Sequence, residues 1–339
     1  MELKAWRLES DEAQIKDYIH GLCENEKRMN FEVFNGEACI TRQDKKTRGA
    51  LVIPPVLGGC PVTHIDQFAF VGCGSLTSLT LPPSVRSIGV HAFNHCVRLK
   101  SMFISSGLRQ IGEQAFRDCF ARERFVVDPA NPIYRSENGL LIRKKGERLV
   151  VGVNGDVVIP EGVKAIDYDA FGDCRGLKSV RIPKSVKRIC PGAFDGCGND
   201  ARFVVVRDNP AYVSRKGFIF SKDGKTLIAG GCGHVTIPDG VTHIGSTAFR
   251  CRRGLKSVKI PPSVRSIGSF AFDGCSGLVS VTIPSSVKEV GAYAFCRCTR
   301  LRSVVVSPGV RKIGNSAFAW CGALKSIAIP SSVTRIGEP

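Results

Sequence analysis

Fifteen cysteines and six histidines are the side chains here that could hold a metal, attack a substrate or cross-link the chain. Their spacing argues against most of that chemistry. A zinc site needs four ligands converging tetrahedrally, yet no C-x-x-C pair occurs, and the C-R-C at 296–298 is too short a signal. The segment HAFNHC brings His91, His95 and Cys96 together, with the histidines four apart as on one face of a helix, but only once. The other histidines, His20, His64, His234 and His243, are scattered and share no recurring Ser, Cys or carboxylate partner. Neither a G-x-x-x-x-G-K-[ST] phosphate loop nor a G-x-S-x-G nucleophile elbow is present. No catalytic residue, no metal and no cofactor is expected.

Eight cysteines keep one place instead. Cys73, Cys96, Cys119, Cys174, Cys197, Cys275, Cys298 and Cys321 each stand three residues after a phenylalanine. In the unit of Phe249 the register slips to Cys251, and Arg252 takes the column. Thiols repeated at one corner fit a buried turn, because free cysteine packs as a small hydrophobe. Many thiols with no framework spacing also lean toward a reducing compartment.

The elements behind this column show a period. The dipeptide Ala-Phe ends at Phe70, Phe93, Phe116, Phe171, Phe194, Phe249, Phe272, Phe295 and Phe318, in steps of 23 or 55 residues. PPSVRSIG occurs twice in the same register, at 82–89 and 261–268. The unit reads C-x-x-L-x-S-V-x-I-P-x-S-V-x-x-I-G-x-x-A-F-x-x. In the copy at Cys174, Val180 and Ile182 alternate with Arg181, the period of a strand, and Pro183 stops it. Val186 and Ile189 form a second short apolar pair. The glycine after that pair (Gly89, Gly268, Gly291, Gly314) suits a tight turn, and Ala-Phe reads as a single helical or 3₁₀ turn with Phe as core plug. One such unit cannot bury its own apolar face, but stacked units can. The expected fold is a mostly β repeat solenoid of 23-residue units, with strands about 4.7–4.9 Å apart along the stack.

The IPxSVxxIGxxAFxxCxxL cores resemble the BspA-like leucine-rich repeat family over about residues 48 to 339, and LVIPPVLGGCPVTHIDQFAF looks like that family's first repeat. The resemblance implies a leucine-rich-repeat solenoid acting as a binding or adhesion scaffold, commonly at a bacterial or protist cell surface. It implies no catalytic residue.

Both 55-residue steps carry similar extra segments, at about 128–158 and 207–236. Each has an Asn-Pro (Asn131-Pro132, Asn209-Pro210) followed by a hairpin signal, with Asp223-Gly224 the stronger of the two turns. They are variant repeats that continue the stack, or projections that touch a partner. Residues 1–47 read as a capping segment. Ile15, Tyr18, Ile19 and Leu22 have helical spacing behind a Ser10 N-cap, and FEVFNGEACI reads as strand, turn, strand. The far end stops within a unit, as in a fragment or a stack covered by a partner.

A hydrophobic fraction of 43% is ample for a core, and the formal charge of +18 favours anionic partners. The N-terminus is charged from the start, and no run approaches the roughly 18 apolar residues of a membrane span. No signal peptide is read, so sequence and resemblance pull toward different compartments. The charge is ordered. One column holds Arg86, Arg109, Lys164, Lys187, Arg265, Lys288 and Arg311, interrupted by Thr242 and Thr334; a second holds Lys100, Lys178, Lys256, Arg302 and Lys325. Adjacent members would repel by roughly 0.8 kcal/mol in water before screening. The columns are a solvated face or a stripe for a polyanion, such as nucleic acid or anionic glycan, or for an acidic protein. No aromatic interleaves them for base stacking. Mid-strand positions Thr80, Phe103, Arg181, Lys259, Thr282, Val305 and Ala328 should face outward as a surface for a protein partner. The expected function is therefore a non-enzymatic scaffold for protein interaction or adhesion, with polyanion binding as the alternative.

Overall fold

Each strand starts and stops where its residues require. In the strand Leu177–Ile182, Leu177, Val180 and Ile182 are buried while Lys178 and Arg181 are exposed, and Pro183, with no N–H for a ladder, ends it. A two-residue strand, Arg188–Ile189, follows the corner. The computed structural model describes residues 29–338. It forms about 13 turns of β-solenoid with no helix among the described residues. The chain divides into two compact units, Met1–Ser136 and Glu137–Pro339. The helix expected near Ser10–Leu22 lies outside the described residues.

In the first unit, strands Arg48–Val52, Ser75–Thr80, Ser101–Ile104 and Arg124–Val127 lie parallel in chain order, with Leu51, Leu79, Met102 and Phe125 in one buried register. A second sheet carries Ile40, Ile65, Ile88 and Ile111 in register. It begins with the antiparallel hairpin Phe31–Phe34 and Glu37–Ile40, whose turn residues Asn35 and Gly36 are left-handed (φ 51° and 75°). The rings of Phe70, Phe93 and Phe116 stack with centroids 5.0 and 5.7 Å apart.

The second unit repeats the plan. Gly155–Val158, Leu177–Ile182 and Arg202–Val205 are parallel neighbours. Further on, Thr226–Ala229 leads a parallel series through His243–Ile244, Ser266–Ile267, Glu289–Val290, Lys312–Ile313 and Arg335–Ile336. The extra segment at 207–236 is a three-stranded antiparallel meander, Tyr212–Arg215, Phe218–Ser221 and Thr226–Ala229. Its first turn, left-handed at Lys216 and Gly217, is an additional strand connection that the sequence reading passed over. Phe249, Phe272, Phe295 and Phe318 stack at 4.9, 4.9 and 5.3 Å. Burying each such side chain contributes about 1.5–3 kcal/mol.

The Ala-Phe segment is a run of linked β-turns, not a helical turn. Ala69, Val71 and Cys73 N–H donate to carbonyls three residues back, while the alternate N–H groups of Phe68, Phe70 and Gly72 cross to Val90, Ala92 and Asn94 of the next coil. Residues two before and two after the Phe are left-handed throughout, as at Phe270 (φ 58°) and Gly274 (φ 71°). That alternation points successive N–H groups along and across the stack; a helix points them all one way.

The glycine before this segment is also there for another reason. Gly89, Gly268, Gly291 and Gly314 are not left-handed. A Cβ on Gly291 would stand 2.5 Å from the backbone nitrogen of Ser269 in the preceding coil, and Gly89 would meet Gln67 N at 2.4 Å. Close approach between coils, not turn geometry, excludes a side chain.

Candidate interaction surface

All twelve cations of the two basic columns are exposed. The structure groups them into shorter runs than the sequence suggests. In the first column, backbone bonds join Arg86 to Arg109, Lys164 to Lys187, and Arg265 to Lys288 to Arg311 across adjacent coils. Several of these side chains fold back onto their own corner. Arg109 Nη1 donates to Ser106 O at 2.6 Å, Arg265 Nη1 to Pro262 O at 3.0 Å, and Lys288 Nζ to Ser285 O at 3.2 Å. The carbonyl three residues earlier is left over by the turn, and a long cation reaches it. Arg86 pairs with Glu37 at 2.7 Å. In the second column, Lys100 pairs with Glu123 at 3.0 Å, and Val279, 42% exposed, stands in the coil between those of Lys256 and Arg302. Lys178 and Lys325 are exposed in their own coils.

In each unit the mid-strand positions form rows on the outer side of the strands. Thr80 and Phe103 are in register and half-buried; Arg181 lies between Val158 and Val204; Lys259 pairs with Thr236; Thr282, Val305 and Ala328 follow one another. Arg181, Lys259, Thr282, Val305 and Ala328 are exposed. Val158 and Val305, each 51% exposed, and Val204, 46%, leave β-branched apolar groups in water on this face. In each unit hydroxyls stand two residues before the mid-strand position, with Ser78 facing Ser101 in the first and Ser280 facing Ser303 in the second. Their signal was present in the repeat as the Ser before the first Val.

The cysteine column is a set of buried caps. Sγ of Cys96, Cys119, Cys275, Cys298 and Cys321 donates to the carbonyl of the Phe 26 residues earlier, at 3.0–3.2 Å. Burial pushes the Cys275 thiol well up, and Cys197 up to about 11. None of the described cysteines is in a disulfide. His91 and His95 do not converge on Cys96. Both are left-handed, His91 stacks on Phe68 at 5.3 Å, His95 lies 3.3 Å from Asp118, and the Cys96 thiol turns to Phe70 O.

Two polar clusters join the turn segments, and only the second left a mark in the sequence, as the break at Arg252. Asp195, Arg250, Asp273 and Arg297 alternate in charge along the turn segments. Arg250 bonds Asp195 at 2.9 Å and Asp273 at 3.0 Å, and Arg297 grips the fully buried Asp273 through two bonds of 2.9 and 2.6 Å. Burial pushes the Asp195 carboxyl up to about 7, against the pull of Arg250. Arg252, the departure in the cysteine column, is 2% exposed. The meander at 207–236 inserts a coil that skips the turn segment, so a thiol could not span the gap. The longer guanidinium does, with Nη1 donating to Cys197 O, Gly198 O and Cys197 Sγ.

Comparison with known proteins adds a family. The model of the BspA type leucine-rich repeat region matches in six copies, over residues 61–133, 154–220 and 231–339. No curated protein matches. Among solved structures, a leucine-rich cell surface protein of Faecalibacterium prausnitzii is 25% identical, with 92% of this chain and 93% of that chain covered and a TM-score of 0.44. A leucine-rich repeat protein of Eubacterium ventriosum is 18% identical, covering 90% and 89%, with a TM-score of 0.44. The pneumococcal vaccine antigen PcpA is 16% identical, covering 91% and 92%, with a TM-score of 0.42.

Proposed function

Because this chain belongs to the BspA-type leucine-rich repeat family, we propose that it is a non-enzymatic scaffold whose outer strand face binds a protein partner, in recognition or adhesion. Repeats of this family generally mediate protein interactions. The observation that carries the reading is the row of exposed mid-strand side chains, with Val158 and Val305 each 51% exposed beside Arg181 and Thr282. The strands behind it are paired, so the face recognises through side chains, not by adding a strand. The hairpin Phe31–Ile40 serves as the cap of the repeats that begin near 48, and the segment at 207–236 continues the stack of the second unit. A photo-crosslinking residue placed at Thr282 or Val305 should capture partner protein, whereas one at Asn315, off this face, should not. Equal capture at Asn315 would remove the strand face from consideration.

A second reading has its own observation. Arg265, Lys288 and Arg311 follow one another in three coils, and no carboxylate among the described residues lies within ion-pair distance of them. That run fits an acidic protein segment or another polyanion. Salt dependence of heparin and duplex DNA binding is its test.

No helix among the described residues is long and apolar enough to cross a membrane.

A further inference from the structure

In the second unit, the turn segments bond to one another by a regular ladder. The N–H of Phe171, Phe249, Phe272 and Phe295 donates to the carbonyl of Ala193, Ala271, Ala294 and Ala317 in the following coil, at 2.7–2.8 Å. One step earlier, Thr247, Phe270 and Tyr293 donate to Ser269, Ala292 and Asn315. Phe194 breaks the series. After it the chain enters the meander, and the return strand Thr226–Ala229 runs through Gly230 and Gly231 directly into Gly233–Thr236, skipping one turn segment. The next segment is Gly245–Ala248.

Most of the groups on either side of this gap find substitutes. Gly192 N–H donates to Thr247 Oγ1 at 2.7 Å, Gly196 N–H to Arg250 O at 3.2 Å, and Gly230 N–H to Ala248 O at 2.8 Å. Two groups have no protein partner among the described residues: the N–H of Phe194, and the C=O of Ser246, whose counterparts Ser269 and Ala292 both accept rungs. Both residues line one cavity of about 250 Å³, with Ile189, Ile228, Ala229 and Ala248 supplying apolar wall and Asp195, Thr247 and Arg252 also among its lining. Phe194 is buried, so its unpaired N–H costs free energy until something pairs it, whereas Ser246 is exposed and its C=O is open to solvent at the rim. A ligand that meets both offers an acceptor to the one and a donor to the other. A carboxamide does so; a carboxylate lacks the donor and a ketone lacks the N–H.

We propose that this chamber is a binding site for a small carboxamide, its C=O accepting from Phe194 N–H and its N–H donating to Ser246 C=O. The apolar wall takes a short aliphatic group. The volume lies below the usual range of drug-sized pockets, so the ligand is small. The site is separate from the strand face and stands or falls independently of it.

The test is titration of the isotope-labelled full chain with isobutyramide, methyl isopropyl ketone and isobutyrate, followed by the backbone amide signals and by hydrogen exchange. Without ligand, the Phe194 amide should exchange faster than that of Phe249. Isobutyramide should shift the Phe194 signal saturably and slow its exchange about tenfold or more, with the ketone and the acid at least about tenfold weaker. Ala229→Leu, which fills the chamber, should abolish the shift; the exchange comparison in the unaltered chain needs no variant to fold. An amide response no better than the ketone's would overturn the proposal. So would no shift up to the solubility limit, or a Phe194 amide already as protected as Phe249, the result expected if ordered water alone occupies the chamber.

Discussion

Asn209 is fully buried, and its amide is completely used. Nδ2 donates to Pro183 O and Val186 O at 2.7 and 2.9 Å, and Oδ1 accepts from Ala211 and Tyr212 N–H at 2.9 and 2.8 Å. Asn131 makes the same four bonds in its own segment. The Asn-Pro pair is thus more than a turn signal: the Asn ties the outgoing chain to the preceding coil. Asn209→Ala should cost about 3 kcal/mol, read as a shift in the urea midpoint, because it strands buried backbone groups. Ser316 is left-handed at φ 50°. Ser316→Gly should stabilise by up to about 1 kcal/mol in the same assay, since only glycine holds that conformation without strain. Asp195 supplies a pH signature. Its folded pKa of about 7 is above that of an unfolded Asp, so the folded state holds the extra proton between the two values. Its contribution to stability is complete below the unfolded pKa and is lost as pH rises toward 7. Asp195→Asn should flatten the fall in stability between about pH 4 and 7; an unchanged slope would assign that fall to other groups.

At the scale of the element, the spacing between coils decides what a position tolerates. Gly291 lies where coils meet closely, and Gly291→Ala, which puts a Cβ 2.5 Å from Ser269 N, should cost about 2 kcal/mol or more. Arg252 lies where coils stand apart. Arg252→Cys would restore the repeat's own residue and yet should destabilise by about 3 kcal/mol, because a thiol cannot reach Cys197 O and Gly198 O across the skipped turn. A thermal unfolding comparison of these two variants checks both ideas. If Arg252→Cys were neutral, the bridge would not be what holds the two turn segments together.

For the molecule as a whole, the charge of +18 is distributed over columns that are exposed but partly engaged with their own corners. From Leu255 to Glu338 there are eleven Lys and Arg against three Asp and Glu, and one of those three, Asp273, is buried between arginines. Reversing Arg265, Lys288 and Arg311 to Glu together should lower the salt concentration needed to elute the protein from heparin and reduce the salt slope of duplex DNA binding. Wild-type elution behaviour in the triple variant would leave these cations as corner caps and solvated charge. The same variant should leave crosslinking at Thr282 unaffected if the strand face alone carries the partner.

The 23-residue period, the two apolar pairs, the Phe plug and the cysteine column were all legible in the sequence. A unit that buries itself only against its own copies must repeat the same side chain at the same place. The proline stop and the outward Arg181 were legible too, since each follows from one residue's own chemistry. The reason for Gly89, the alternating handedness around each Phe, the reach of Arg252, the grip of Asn209 and the unpaired Phe194 N–H were decided by tertiary structure alone. Each depends on the distance from one coil to the next, and that distance is set by packing of units 23 or 55 residues apart, not by any local preference of the chain.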